Sequence, residues 1–306
     1  MKFGIFADSH IDFIHDGLSR VEKFYAVANK ENVDFCIQLG DFCSPCEEKL
    51  EIKKKAVAMV ATQPTKTYHV IGNHDNDHNS KQEVLDFIGQ KTAYGSFDVG
   101  GVHFIYLDAN YYREGDAEIS YSYGNYKGAS AEADLPILPR AELDWLRADL
   151  ASAKYPSVIF SHQSLIESRA GIINAEAFRE VIRTAPRGVL MCICGHEHVD
   201  RIEEREGVIY YCLNSMSYYW AGSAYTHSPY GPEVDREFPL VKYVFPYKDP
   251  LFAIIEITDG EIKVVGRETE FVGIAPHEVN FQKKGLVDPV EAVIRDRLII
   301  RNRNGV

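Results

Sequence analysis

Aspartate and histidine recur in this 306-residue chain at spacings that suit metal ions. Asp8 and His10 form an Asp-x-His pair and His196 and His198 a His-x-His pair, while Asp41, Asn73 and His162 stand singly between them. Two donors placed two residues apart can enter one small site where a strand gives way to a loop. Four imidazoles, two carboxylates and one amide are too many ligands for one tetrahedral zinc, and they suit two ions sharing a carboxylate. A divalent ion lowers the pKa of its water toward ~7, so hydrolysis at such a site needs no nucleophilic Ser or Cys.

Short apolar runs must position these side chains, and each candidate follows one. IFA precedes Asp8-Ser9-His10, IQLG precedes Asp41, HVIG precedes Asn73-His74-Asp75, VIFS precedes His162, and MCICG precedes His196-Glu197-His198. In open α/β sheets ligands gather at the carboxyl edge of the strands, so five strand ends would deliver the candidates to one edge. Amphipathic segments lie between the runs and predict helices near Leu18 to Asn29, near Lys49 to Ala61, over SKQEVLDFIG, near Arg140 to Ala153 and near Ala175 to Thr184. YGSFDV and VHFIYLD read as a strand pair, and the segments around Arg201 and Val208 to Leu213 as hairpin-like. FAIIEIT and IKVVGRE read as a hairpin turned at Asp259-Gly260. No repeat or Pro/Gly/Ser-rich linker divides the chain, which predicts a single α/β domain over 1–306 with a C-terminal hairpin and tail after 250. Ala109 to Pro139 and Ser215 to Lys248 (109–139 and 215–248) are long for plain connections and rich in Tyr, Gly and Pro, and loops of that length are usually functional or mobile.

DSH at Asp8, GD at Gly40, GNHD at Gly72, the lone His162 after a strand and GHEH at Gly195, in this order, resemble the calcineurin-like metallophosphoesterases over roughly the first two thirds of the chain. The resemblance implies a four-layer α/β/β/α metallophosphoesterase sandwich of two mixed sheets flanked by helices. It implies Asp8, His10 and His198 on one divalent ion, Asn73, His162 and His196 on the other, and Asp41 bridging. It leaves His74 as proton donor or electrostatic stabiliser at the leaving group, opposite a metal-bridging hydroxide that attacks phosphorus in line. Two divalent ions, two aspartates and one hydroxide sum to about +1, an anion-attracting site within an acidic protein. The chain departs from the family pattern twice. Ser44 stands where many relatives carry a second acid, which makes Asp75 a candidate to orient His74, and Ser164 stands where many carry proline, a change that bears on loop shape.

Composition narrows the function. A formal charge of -12 argues against a nucleic-acid polymer as partner, because that binding comes from Lys and Arg displacing counterions. No stretch approaches the ~20 apolar residues that span a bilayer, and the chain opens on the strand-like KFGIFA, so no membrane partner is expected and the expected compartment is the cytoplasm. Cys36, Cys192, Cys194 and Cys212 lie in apolar runs, as buried reduced thiols do. Cys43-x-x-Cys46 reads as buried or idle thiols rather than a redox pair or half a zinc site, with Cys43 placed to line the metal pocket. His15, His69, His78, His103, His227 and His277 read as structural. The aromatic stretches from Tyr111 to Tyr126 and from Tyr218 to Tyr230 either stack a planar group or pack the long loops. Arg295, Arg297, Arg301 and Arg303 read as a solvated helix face.

These readings converge on a metal-dependent hydrolase acting on a small phosphodiester or nucleotide-like substrate. The alternatives are a phosphomonoesterase, including a protein phosphatase, and a non-catalytic scaffold of the same fold, since loops set the substrate on a shared metal core. Mixed imidazole, carboxylate and amide ligands favour Mn or Fe, with Zn as a further choice. Oligomeric state is not legible in the sequence.

Overall fold

Phe3 and Ile5 of the first strand turn to one face and Gly4 and Phe6 to the other, and each face meets a different layer. In the computed structural model, which describes residues 1–127, 135–168, 170–282 and 288–300, this strand is β1 (Lys2–Phe6), central in a six-stranded sheet. To one side lie β2 (Phe35–Leu39) and β3 (Thr67–Val70), running parallel to it. To the other lie β14 (Ala253–Ile257), β15 (Glu261–Val265) and β18 (Arg297–Ile300), each antiparallel to its neighbour. α1 (Gly17–Lys30) and α2 (Leu50–Ala61) are the crossovers joining β1, β2 and β3, and they cover the outer face through Val21, Phe24, Ala28, Ala56 and Val60. At Gly4 a Cβ would stand 2.9 Å from the Phe24 ring, so glycine lets α1 lie close on the sheet.

The second sheet is built on the same plan. β5 (Val102–Tyr106), β8 (Ser157–Phe160), β9 (Val189–Cys194) and β11 (Val208–Cys212) run parallel, edged by β4 (Gly95–Val99) and β10 (Arg201–Arg205), both antiparallel. α4 (Arg140–Ser152) and α5 (Ala175–Arg183) cover its outer face through Leu146, Leu150, Phe178, Val181 and Ile182. The two inner faces meet in a core containing Phe3, Ile5, Phe35, Ile37, Phe104, Val158, Phe160 and Ile193. Phe3 stacks on Phe35 at 5.1 Å and meets Phe104 edge-on at 5.6 Å, so aromatic contacts cross from sheet to sheet. This is the four-layer sandwich of two mixed sheets that the motifs imply. α3 (Lys81–Ile88) begins at a Ser80–Glu83 capping box and packs Val84 and Leu85 on Ile71 beside the end of β3.

The long connections carry small elements of their own. β6 (Tyr111–Glu114) and β7 (Ala117–Ser120) form a hairpin within 109–139, where 128–134 lie outside the described residues. β12 (Tyr218–Trp220) and β13 (Val244–Pro246) pair across 215–248, with α6 (Pro232–Glu237) between them. β16 (Arg267–Glu268) and β17 (Val293–Ile294) tie the tail down.

The expected helix in the tail is not there. Arg297 to Ile300 form β18, because the alternation of RLII suits the open edge that β15 presents, and Arg295 and Arg297 pair with the buried Asp200. Arg301 and Arg303 lie outside the described residues. All six cysteines are free thiols, and among the described residues no helix is long and apolar enough to cross a membrane.

Candidate metal centre

The parallel strands of the two sheets end at one edge of the sandwich, where their loops bond to one another. Asp8 N–H donates to the Gly40 carbonyl at 3.1 Å and His10 N–H to the Asp41 carbonyl at 3.0 Å, joining the loops after β1 and β2. Gly195 N–H donates to the His162 carbonyl at 3.0 Å, joining those after β9 and β8. Asp8 closes the seam between sheets, accepting the His196 N–H at 3.0 Å. The glycines of the motifs make room for this convergence. A Cβ on Gly72 would stand 2.1 Å from Asp41 Oδ1, one on Gly195 2.6 Å from Asp8 Oδ2, and one on Gly40 2.4 Å from His162 Nδ1, while Gly40 also turns at φ +91°.

The candidates themselves hold unusual backbone angles. Asp8 (φ 50°), His10 (43°), Asp41 (53°), His196 (67°) and His198 (54°) are all left-handed, half of the ten non-glycine residues in that region among those described. Such angles cost of order 1–3 kcal/mol each and persist where the surroundings over-determine them, most often at functional sites.

The side chains gather into two groups, Asp8 with His10 and His198, and Asp41 with His162 and His196, the donor atoms of each group lying within 4.8 Å of one another. His198 Nε2 lies 3.2 Å from Asp8 Oδ1. Asp41 Oδ2 faces both groups, 3.6 Å from His10 Nε2 and 3.2 Å from His162 Nε2. Asn73 Oδ1 stands 3.1 Å from His162 Nε2, and His196 Nδ1 3.2 Å from the same atom. Among the described residues neither Asp8 nor Asp41 pairs with a lysine or arginine, although both carboxylates are buried. His162 Nδ1 donates to the Leu39 carbonyl at 2.7 Å and His198 Nδ1 to the Tyr218 carbonyl at 2.8 Å, which turns each Nε2 lone pair inward as in a ligating histidine. Buried carboxylates without a cationic side chain, faced by oriented imidazoles, fit divalent metal ions.

The charge distribution agrees. Burial opposes the charge on Asp8, yet His198 and His162 hold its carboxyl below the usual range. Burial likewise opposes the charge on Asp41, whose carboxyl His162 and His74 hold well below that range. Burial also opposes a proton on His162, but Asp41 and Asp8 raise its pKa to about 10, a pull from two carboxylates that bound divalent ions would answer in place of the proton. Burial lowers His10 to about 4, and burial with the neighbouring His162 lowers His196 to about 3, leaving both neutral, the form that ligates.

His74 sits beside this pair of groups, its ring 5.6 Å from that of His10 and half exposed to the cleft. Its orienting acid is Asp77, not Asp75. His74 Nδ1 lies 2.8 Å from Asp77 Oδ2, whereas the Asp75 carboxylate accepts the backbone N–H groups of Asp41 at 3.1 Å, Phe42 at 2.9 Å and Gly72 at 2.8 Å. Asp75 therefore ties the loop after β2 to that after β3, and burial beside Asp41 raises it to about 8. Asp77 lies three residues after His74, and the short 3₁₀ turn over His74–Asn76 brings the two to one side.

Tyr126 is a second residue that sequence reasoning missed. Its hydroxyl donates to Asp77 Oδ1 at 2.6 Å and accepts from Asn73 Nδ2 at 3.1 Å, which turns the Asn73 oxygen toward His162. Lys127 Nζ reaches Asp77 Oδ2 at 2.7 Å. Burial opposes a proton on His74, but Asp41 and Asp77 raise its pKa.

The groups open into a cleft of about 580 Å³. Phe13, Tyr218, Trp220, Phe238 and Leu240 give the cleft wall its apolar surface, and Ser44, Lys49, Asp77 and Lys127 its polar groups, with Lys49 Nζ 3.2 Å over the Phe238 ring. Cys43 also lines the cleft, but burial pushes its thiol well above the usual range, which disfavours the thiolate. Of the other histidines, His103 is held between Asp98 at 2.6 Å and Asp149 at 2.8 Å, away from the cleft, while His78 lies at its rim. Ser164 is buried, its carbonyl accepting the Ile172 N–H at 2.9 Å to shape the loop after His162.

The family model for calcineurin-like phosphoesterases matches residues 1–200. Among solved structures, a dimetal phosphatase from Danio rerio is similar with a TM-score of 0.61 at 17% identity, covering 89% of this chain and 98% of its own. GAP50, the anchor in the inner membrane complex of Plasmodium, has a TM-score of 0.53 at 13% identity, covering 99% of this chain and 89% of its own. At these identities the likeness is one of fold. No protein of curated function matches the sequence.

Proposed function

We propose that this chain, which belongs to the calcineurin-like phosphoesterase family, hydrolyses a small phosphodiester or nucleotide-like substrate with two divalent ions. Asp8, His10 and His198 would hold one ion, Asn73, His162 and His196 the other, and Asp41 would serve both. The observation that carries this reading is the meeting of the two ligand groups at Asp41 Oδ2, with the outer nitrogens of His162 and His198 already committed to backbone carbonyls. The fold is shared by a phosphatase and by a protein described as an anchor, so the complete donor set, rather than the fold, favours catalysis over scaffolding.

Divalent ions bound there supply Lewis acidity toward phosphoryl oxygens and ionise water at neutral pH. We assign manganese or iron to the site, with zinc a further choice, from its mixture of imidazole, carboxylate and amide donors. The chain's own contribution begins at His74. Asp77 holds its Nδ1, so Nε2 faces the cleft and delivers a proton to the leaving oxygen. The apolar wall of Phe13, Tyr218, Trp220 and Phe238 gives a planar leaving group a surface to rest on, and Lys49 and Lys127 add positive charge in an otherwise acidic protein. A cleft of about 580 Å³ suits a ligand of nucleotide size.

The test is hydrolysis of bis-p-nitrophenyl phosphate against p-nitrophenyl phosphate, with manganese or chelator present and with His74→Ala alongside. Diester preference, loss on chelation, and a fall in kcat of about 10²–10⁴-fold for the variant are expected. Preference for the monoester would reassign the substrate to a phosphomonoester. Absence of turnover by protein with both ions bound would favour a scaffold.

A further inference from the structure

The loop after Asp41 carries a chemistry that ester hydrolysis does not use. Cys46 stands in this loop, half-buried. From α2, Lys53 reaches back until its Nζ lies 2.7 Å from Cys46 Sγ and 3.0 Å from Asp12 Oδ2. The Lys53 side chain is wholly excluded from solvent, so it is held in this position. Elsewhere thiols make contacts of ordinary length, 3.4 Å from Cys212 Sγ to the Gly195 carbonyl and 3.9 Å from Cys46 Sγ to the Glu48 carbonyl. Sulfur is the larger atom, and its contact with Lys53 is nevertheless as short as a hydrogen bond between nitrogen and oxygen. That spacing is the one two atoms take when both are bonded to a common oxygen.

We propose that Cys46 and Lys53 form a modification site at which oxidation joins Sγ to Nζ through a single oxygen atom. With dioxygen as the oxidant the step balances. One oxygen atom becomes the bridge, forming one bond to sulfur and one to nitrogen, and the other leaves as water. The thiol and the amine each give up one hydrogen to that water, and the lysine ammonium releases its remaining extra proton to solvent. Nitrogen and sulfur each surrender an electron pair, and dioxygen takes up both pairs. Cys46 suits the role because its half-exposed thiol is open to oxidants, which the buried Cys43 is not. The bridge ties the loop bearing Ser44, Glu48 and Lys49, three residues of the cleft wall, to the body of α2. It also removes the positive charge that faces Asp12, and it requires no metal ion, so it stands apart from the phosphoesterase assignment.

Full-length protein purified in air without reductant is compared with the same protein kept in dithiothreitol, by high-resolution intact mass and tryptic mapping. The air-exposed protein is expected to gain one oxygen and lose two hydrogens. Cleavage after Lys53 should fail, and the Cys46 peptide ending at Lys49 should remain joined to the one beginning at Leu50. Dithiothreitol should reverse all three changes. Cys46→Ser, at a half-buried position, and Lys53→Arg, which keeps the charge beside Asp12, should each abolish the gain. Loss of two hydrogens without added oxygen would overturn the proposal. So would oxygen on Cys46 with Lys53 still cleaved, or full alkylation of Cys46 in the air-exposed protein.

Discussion

The floor of the cleft is made of strand ends tied loop to loop by backbone hydrogen bonds, whereas its walls come from long connections that pack through aromatic and charged side chains. On the floor, Asp8, His10, Asp41, His196 and His198 sit at left-handed angles, and a Cβ on any of three motif glycines would collide with a neighbour. On the wall, Trp220 is 39% exposed and Leu240 48%. The floor is thus closely constrained by its backbone angles and by glycines that leave no room for a Cβ, while Trp220 and Leu240 of the wall are open to solvent. Under the proposed function, chemistry belongs to the first region and substrate choice to the second.

The comparison breaks most visibly if the floor tolerates change. Asp41→Ala removes the carboxylate that serves both groups, and we expect activity to fall to the chelated baseline and metal per chain, measured by elemental analysis, to fall with it. Retained activity with full metal content would show that the floor is not the chemical centre. Tyr126→Phe tests the boundary between floor and wall, since its hydroxyl connects Asn73 with Asp77. A loss of about 10–100-fold in metal affinity or kcat is expected, as for outer partners of metal ligands, and an unchanged enzyme would confine Tyr126 to packing. Trp220→Ala belongs to the wall alone. It should raise KM for an aromatic diester by several-fold, equivalent to about 1 kcal/mol, with kcat and metal content unchanged. A fall in kcat at constant KM would place Trp220 with the chemistry.

The smallest effect lies outside both regions. His103 has its pKa raised by its hydrogen bond to Asp149, burial working against this and Asp98 with it. A raised folded pKa means that the contribution to stability is fully present below the unfolded value of ~6.5 and is lost as pH rises through the higher folded value. His103→Gln should therefore lower Tm at about pH 5.5, and the difference from the parent should shrink toward about pH 9. Partial exposure of the pair keeps the shift small. A difference that is constant with pH would mean that His103 acts by packing.

The floor was legible because each candidate ligand follows an apolar run, and the parallel strands of an α/β sandwich bring such ends to one edge whatever lies between them. The acid beside His74 was not. Asp75 adjoins His74 in sequence, but neighbours on a helical turn face different ways, and Asp77 at three residues' distance meets the ring. Tyr126 is 53 residues from Asn73, a contact made by tertiary packing of the Tyr112, Tyr121 and Tyr126 cluster, which no local pattern encodes. In the tail the arginines suggested a helix face, yet RLII alternates, and an open sheet edge at β15 decides for a strand. Of the aromatic stretches, Tyr112 and Tyr121 pack the loop onto itself, while Tyr218 and Trp220 line the cleft.

The left-handed angles of the candidate ligands carry an implication for engineering. Glycine adopts those angles without steric strain, so a directed-evolution campaign that selected only for heat resistance would be drawn, wherever that relief exceeds glycine's entropic cost and the lost side-chain bonds, to the very positions proposed to hold the ions. It would return a sturdier and inert protein. Selection for turnover and selection for endurance pull these five positions in opposite directions, so a useful thermostable variant should be sought in the helices and the tail.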